Sequence, residues 1–368
     1  METSINELVP FKATHPGEIL REELKERGIK QKDFAASIGM QATHLNEFIK
    51  GRRDITPELA LKLENELGIS YDFWMNLQKG YLHDTKAIEK KNADEKIAIS
   101  TEREYSEIVN LSELYKRFSI DSVSASRRLE KLKTHFHFNI KSLPEREKQV
   151  SGFYKHSEKV QIDEKNLRTW LALVWAETEK VALNKDYTEG NAKKAAKDIA
   201  EKANKQALTT DFIAECLEEN GIAYEVVPKL DKTPVDGYSL MAPGHHPAVI
   251  VTYRYNDLDK LAFDVLHELG HIELHLNAQN EGFISIEGYS ESEEEREANS
   301  FANDALIPPA VWESIMNSHS DSILPHAIAK IIAREAIRNG ISPSIAVARY
   351  KHESNCYDIK AYRSPKIH

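Results

Sequence analysis

The sequence predicts a multidomain, mainly α-helical protein. An all-α domain occupies residues 1–84, a helical connector 85–206 and an α+β domain 207–368. Three observations carry this. From His15 the chain breaks into short stretches with apolar residues at helical spacing, closed by glycines such as Gly28 and Gly39. From Thr85 to Ser106 it is rich in Lys, Glu and Ala and reads as an exposed helix or linker, after which "SEIVNLSELYKRFSIDS" and "SASRRLEKLKTHFHFN" carry helical apolar spacing. β-Branched alternation comes late, in "PAVIVTYR", Pro247 to Arg254.

In the first domain, "HPGEILREELKERG" has Pro16 and acids near its start, apolar Ile19, Leu20 and Leu24, and Gly28 as a stop. "KQKDFAASIG" directs Phe34, Ala35 and Ile38 inward and turns at Gly39. "MQATHLNEFIKG" directs Leu45, Phe48 and Ile49 inward. "TPELALKLENELG" begins with Thr56 as cap and Pro57 at the first helical position, and "SYDFWMNLQKGY" closes the unit. Two short helices joined through a glycine turn, with the small Ala35 at their crossing, make a helix-turn-helix. In that unit the second helix enters the major groove and its exposed N-terminal residues meet base edges. Here those are Gln41, Ala42, Thr43 and His44, with Asn46 and Glu47 along the outer face. Lys32, Lys50, Arg52 and Arg53 sit at helix edges and suit phosphates, which position a protein without specifying sequence.

The stretches "HPGEILREEL", "FAASIG", "HLNEFIKGRRDITPELALKLENELG" and "FWMNLQ" resemble the HigA-like antitoxin branch of the Cro/C1-type (XRE) helix-turn-helix regulators, nearly continuously from His15 to Gln78. The resemblance implies a homodimer on an inverted-repeat, double-stranded DNA operator. It also implies repression of the chain's own toxin–antitoxin operon and a ribonuclease-type toxin as partner. Ala42 and Glu47 depart from the family pattern, so no base preference carries over.

The connector offers less. His135 and His137 flank Phe136 in strand-like alternation and read as a surface or edge pair rather than metal ligands. The aromatic-rich stripe Phe153, Tyr154, Leu167, Trp170, Leu171, Val174 and Trp175 reads as core or as a contact with the last domain. "LTTDFIAECLEENGIAYEVVP" then gives a helix, a stop at Gly221 and a strand.

The chemistry concentrates in "FDVLHELGHIELHL", Phe263 to Leu276. His267 and His271 are spaced i, i+4, which on a helix sets their Cβ atoms about 5–6 Å apart on one face, close enough to share an ion. Glu268 stands beside the first histidine, where its carboxylate reaches a water on the metal and takes its proton. The surrounding helix is apolar, so a polar triad within it calls for a partner, and a cation supplies one. Gly270 lowers helix propensity, which implies that something approaches the backbone there. Asn256 or Asp257 would cap the helix. A catalytic zinc needs a third protein ligand. On a continuing helix His275 is rotated by about 80°, so it reads as structural or as a support behind the ligands. In "SESEEEREANSFANDALIPP" the face Glu295, Ala298, Asn299, Ala302 and Leu306 would pack closely and bring Glu295 to the metal, with Glu293, Glu294 and Glu297 as alternatives of register. "APGHHPAV" places His245 and His246 in a loop, and Tyr253 or Tyr289 is a candidate for stabilising an oxyanion.

"HELGHIELH" followed by "EREANSFANDALIPP" resembles the ImmA/IrrE family of zinc metallopeptidase domains, from about Ala207 to the C-terminal region. The resemblance implies a zincin-like fold, zinc on His267, His271 and Glu295, and Glu268 as general base. It further implies limited cleavage of a protein, either this chain or a repressor. Some members of the family have no demonstrated protease activity, so a non-catalytic antitoxin with a structural, sensor or partner-binding zincin domain is the alternative. Asp304 is a small departure from the motif.

Composition sets the outer bounds. A net charge of −10 over 368 residues argues against indiscriminate polyanion binding while leaving room for a local basic surface. Cys216 and Cys356, far apart and outside any C-x-x-C pair, read as free thiols in a reducing cytoplasm. The absence of an export signal pattern and of a long apolar run predicts a cytoplasmic protein without a membrane partner.

Overall fold

The structure, a computed structural model, describes residues 9–150, 162–242, 246–253, 256–276, 282–286, 292–318, 325–359 and 362–367. It is mainly helical, and the chain divides into two compact units: Met1–Glu102 with Val123–Leu129, and Arg103–Ser122 with Glu130–His368. Among the described residues no helix is long and apolar enough to cross a membrane.

The first unit is built on α1 (Pro16–Glu26), α2 (Gln31–Ser37), α3 (Ala42–Ile49), α4 (Pro57–Leu67) and the start of α5 (Tyr71–Ser106). Local chemistry sets the helix ends. His15 caps α1 by accepting the Gly17 N–H at its Nδ1 (2.9 Å), and Thr56 caps α4 through the Leu59 N–H (3.2 Å). Gly28 and Gly68 take the left-handed conformation that stops α1 and α4. Leu20, Phe34, Leu45, Phe48, Leu63 and Trp74 make one core, with Ala35 buried at the α2–α3 crossing.

The segment closing this unit differs from the short final helix expected. α5 runs for 36 residues, through Gly80 and the whole Lys/Glu/Ala-rich stretch. Beyond Gln78 only Ala98 is buried on it, so side-chain ties take the place of a core. Glu95 accepts from Ala125 N, Ser126 N and Ser126 Oγ (2.7, 3.1 and 2.7 Å), and Glu102 pairs bidentately with Arg128 (2.7 and 2.8 Å).

The second unit includes α6 (Leu111–Arg117), much of α7 (Ala125–His135), α8 (Leu143–Val150), α9 (Glu164–Thr178), α10 (Asn191–Asn204) and α11 (Thr210–Glu219). His135 ends α7 and stacks on Phe118 (ring centroids 3.9 Å apart), so the strand-like alternation around Phe136 is the end of a helix rather than a strand. Phe153 and Tyr154 lie outside the described residues.

Four strands follow: β1 (Ala223–Val226), β2 (Val235–Ala242), β3 (His246–Val251) and β4 (Gly282–Ile286). Their order is β1-β3-β2-β4, with β1 parallel to β3 and β2 antiparallel to both β3 and β4. Register gives each face an owner. Tyr238 lies opposite Ile250 and meets Trp170 of α9 (6.2 Å between centroids), whose Nε1 donates to Val227 O (3.0 Å). Ser239 lies opposite both Val249 and Phe283, on the face covered by α12 (Leu258–Leu274). The sheet is therefore enclosed on both faces. The stripe Leu167, Trp170, Leu171 and Val174 is core.

α12 packs directly against both the alanine face of α10 (Ala192, Ala195, Ala196, Ala200, Ala203) and α13 (Glu293–Leu306). The chain continues as α14 (Pro309–Met316), α15 (Pro325–Arg338) and α16 (Pro343–Glu353). Asp257 is the N-cap residue of α12, but its side chain caps nothing; it pairs with Lys366 (2.8 Å).

Candidate metal centre

The centre forms where α12, α13 and the β2–β4 edge of the sheet meet. α13 can approach because the facing positions are small. A Cβ on Gly270 would stand 3.1 Å from Ala298 Cα and 3.2 Å from Phe301 Cβ, and Ala298 and Ala302 are buried beside it. Gly270 therefore marks where a second helix presses on the first. Ser292 caps α13 by accepting the Glu295 N–H (3.2 Å), which fixes the first turn and the direction of Glu295.

Three donors converge. The Nε2 atoms of His267 and His271 are 3.1 Å apart, and the two oxygens of Glu295 lie 3.2 Å from the first and 3.3 Å from the second. His267 and His271 are buried, and Glu295 nearly so. Donors at the corners of a tetrahedron around a zinc ion, each about 2.0–2.1 Å from it, stand about 3.3 Å apart. Proton bookkeeping agrees. His267 Nδ1 lies 3.0 Å from Asn299 Oδ1, an atom that only accepts, so the proton sits on Nδ1 and Nε2 offers a lone pair. Two imidazole lone pairs and a carboxylate aimed at one point repel each other unless a cation joins them. The residues present fit a zinc ion.

The electrostatics follow the burial. Without an ion, burial opposes charge on Glu295, but the two imidazoles, which donate to it when they carry a proton on Nε2, outweigh burial and hold the carboxyl down at about 2. Burial lowers His271 to about 4 despite the Glu295 contact. At His267 burial also disfavours the cation, yet Glu295 and Glu268 prevail and the pKa is raised.

Glu268 lies between α12 and the sheet, 1% exposed. Its Oε1 accepts from Ser285 Oγ on β4 (2.6 Å), and the Ser239 hydroxyl of β2 is a second hydrogen-bonding neighbour of the carboxyl. Burial pushes its carboxyl up to about 8. Gly237 on β2 makes the space: a Cβ there would fall 2.3 Å from Glu268 Oε1. Neither Gly237 nor Ser285 is readable as a site residue in the sequence, because strand pairing alone brings both to the helix.

Of the acids weighed as a third donor, Glu295 is the one that reaches both imidazoles, while Glu297 contacts His275 (2.8 Å). Tyr253 is bonded to Tyr224 through their hydroxyls (3.1 Å) and packs on the core. Tyr289 and His245 lie outside the described residues, and His246 opens β3 rather than a loop.

On the first unit, Gln41 is the N-cap of α3, and Gln41, Ala42 and Thr43 are exposed. His44, Asn46 and Glu47 are partly exposed along the same helix, and Lys32, Lys50, Arg52 and Arg53 are exposed around it. Arg53 pairs with Glu47 (3.1 Å), so the acid on the outer face is neutralised within the chain.

These elements define a class: a DNA-binding helix-turn-helix regulator joined to a domain of a peptidase family. A helix-turn-helix family model matches residues 20–74, and the M78 peptidase-family model, described as an IrrE N-terminal-like domain, matches residues 224–330. Virulence-associated protein I of Dichelobacter nodosus is 39% identical over 70 residues, 19% of this chain and 65% of that protein, so the chain spans just under two thirds of that relative. The uncharacterised HTH-type transcriptional regulator YddM of Escherichia coli (strain K12) is 32% identical over 66 residues, 18% of this chain and 70% of that protein. Among solved structures, an addiction-module antidote protein of the HigA family from Coxiella burnetii is 30% identical, covering 23% of this chain and 95% of that one at a TM-score of 0.22. The chain belongs to the helix-turn-helix transcriptional regulators, and its second unit carries an IrrE N-terminal-like domain.

Proposed function

We propose that this chain is a transcriptional regulator of the antitoxin type that represses its own toxin–antitoxin operon and carries a zinc-dependent peptidase centre for limited proteolysis. The observation that most supports this is the convergence of His267, His271 and Glu295 beside a buried Glu268. In this reading those three residues hold one zinc ion. Zinc, when bound, supplies Lewis acidity that polarises a peptide carbonyl and makes water acidic near neutral pH. Glu268 acts as general base and returns the proton to the leaving amine, while Ser285 of β4 holds its Oε1. The substrate is a protein, either this chain or a repressor.

On the DNA side, a cytoplasmic homodimer places α3 in the major groove of an inverted-repeat operator. Gln41, Ala42, Thr43, His44, Asn46 and Glu47 face the bases, and Lys32, Lys50, Arg52 and Arg53 face phosphates. A ribonuclease-type toxin is the expected partner.

One observation favours a second reading. A carboxyl that burial pushes to about 8 is a poor base at neutral pH, which suits a zincin domain used as a sensor or partner-binding module. A cation beside it would lower that value and restore the base. Glu268→Gln separates the two. With zinc loaded at one per chain, the peptidase reading expects the variant to bind operator DNA normally but to stop cleaving itself or a co-expressed repressor. Retention of every cellular activity by a zinc-loaded variant overturns catalysis. Failure of the wild type to bind zinc, or retention of zinc by His271→Ala, overturns the metal centre.

A further inference from the structure

His275 lies outside the three donors, yet it is buried against one of them. α12 ends at Leu274, and His275 is its C-cap residue at φ −124° and ψ −27°, its own N–H still bonded to His271 O (2.9 Å). His275 therefore stands four residues beyond His271, on the same helix face, and its imidazole meets the back of that ligand rather than joining the donors. His275 Nδ1 comes to 3.1 Å from His271 Nδ1, and His275 Nε2 to 2.8 Å from Glu297 Oε2. Phe283 of β4 backs both rings, stacked on His271 (4.8 Å, 7°) and tilted against His275 (5.5 Å).

The two ligand histidines are thus steered differently. Behind His267 stands an amide oxygen, which can only accept. Behind His271 stands another imidazole, which accepts at Nδ1 only when neutral with its proton on Nε2. Glu297 selects that tautomer by accepting the Nε2 proton. Each group then has one role. The Glu297 carboxylate accepts from His275 Nε2–H, His275 Nδ1 accepts from His271 Nδ1–H, and His271 Nε2 keeps its lone pair for the ion.

The geometry points to a Glu297–His275–His271 relay in which His275 is a positioning residue, fixing the tautomer and orientation of His271 for a divalent cation. The inference rests on the metal-centre reading above and adds a residue to it. Partners behind ligand imidazoles commonly govern metal affinity by about 10–100-fold.

The test is zinc affinity of the full chain, measured by competition with a chromophoric chelator. His275→Phe keeps a ring against Phe283 but removes the acceptor; His275→Asn removes the ring but keeps an acceptor at the position of Nδ1. The relay expects His275→Phe to weaken zinc binding by about 10–100-fold and His275→Asn to restore most of it. Glu297→Gln, at a half-exposed position that bears on no core, expects a smaller loss in the same direction. Wild-type affinity in His275→Phe, or equal losses in the Phe and Asn variants, overturns the relay and leaves the three-donor centre standing. Absence of zinc binding by the wild type overturns the centre, and the relay with it.

Discussion

The two units put their chemistry in opposite places. In the helix-turn-helix unit the interior is apolar, with Leu20, Phe34, Leu45, Phe48 and Leu63 fully enclosed, and the residues suited to DNA stand on the outside of α3. In the second unit the polar groups are inside. His267, Glu268 and His271 are buried on a helix whose other buried neighbours are Leu261, Ala262, Val265, Leu266, Leu269 and Ile272. A surface reader changes specificity by exchanging exposed side chains at little cost in stability. A buried centre ties its function to the packing around it, so changes there register in both.

The pH dependence of stability should separate the units most strongly. Burial raises the Glu268 carboxyl to about 8 in the folded chain, against 4.5 for the ordinary group. Between those values the folded state holds a proton that the unfolded state has lost, so stability contributed by the neutral acid falls as pH rises. The slope reaches about 1.4 kcal/mol per pH unit and levels off below the lower value and above the upper one. His271, lowered to about 4, contributes the opposite slope up to its ordinary 6.5 in both proteins. The Glu268 loss is therefore read as the difference between thermal melts of metal-free wild type and Glu268→Gln from pH 4 to 9. Parallel curves for the two proteins would mean that Glu268 is solvated.

A pair of glycines gives a smaller and opposite contrast. Gly237→Ala puts a methyl 2.3 Å from Glu268 Oε1 and should destabilise the second unit by about 1–3 kcal/mol. Gly80→Ala, in the middle of α5 with open space around it, should stabilise by about 0.5–1 kcal/mol. Chemical denaturation of each variant measures both, and a neutral Gly237→Ala would show that Glu268 moves aside freely.

The smallest expected effect is on DNA binding. Arg53 is held by Glu47, so Glu47→Gln should free it for a phosphate, tighten operator binding a few-fold and steepen the dependence of log K on log salt by about 1. Fluorescence anisotropy across a salt series reads both quantities. A shallower slope in the variant would place Arg53 away from the backbone. Zinc content should not change, because the acid is remote from the centre in sequence and lies in the other unit.

Legibility followed the range of the interactions. The ends of α1 and α4 were readable, because Gly28, Thr56, Pro57 and Gly68 act on their own neighbours. The length of α5 was less so: the Lys/Glu/Ala-rich stretch reads as an exposed helix or linker, and nothing along the chain says that it continues the preceding helix through Gly80 and is tied by Glu95 to the start of α7. Asp257 fell at the cap position of α12 as its sequence suggests, but a salt bridge with Lys366 took its side chain. Spacing alone put His267 and His271 on one face and made Glu268 their neighbour. Glu295 emerged from a run of acids only as the best register among several.

The sequence by itself determined what depends on neighbours along the chain: the helix-turn-helix with its exposed reading face, the i, i+4 imidazole pair, and a small-residue stripe that invites close helix packing. Only the tertiary structure decided which acid reaches the imidazoles, that Ser285 and Gly237 enclose Glu268, and that Glu297 and Phe283 hold His275 in place behind His271. The physical reason is that periodicity fixes angles around one helix axis. The meeting of two helices and a sheet edge is fixed by register and by volumes contributed from distant parts of the chain.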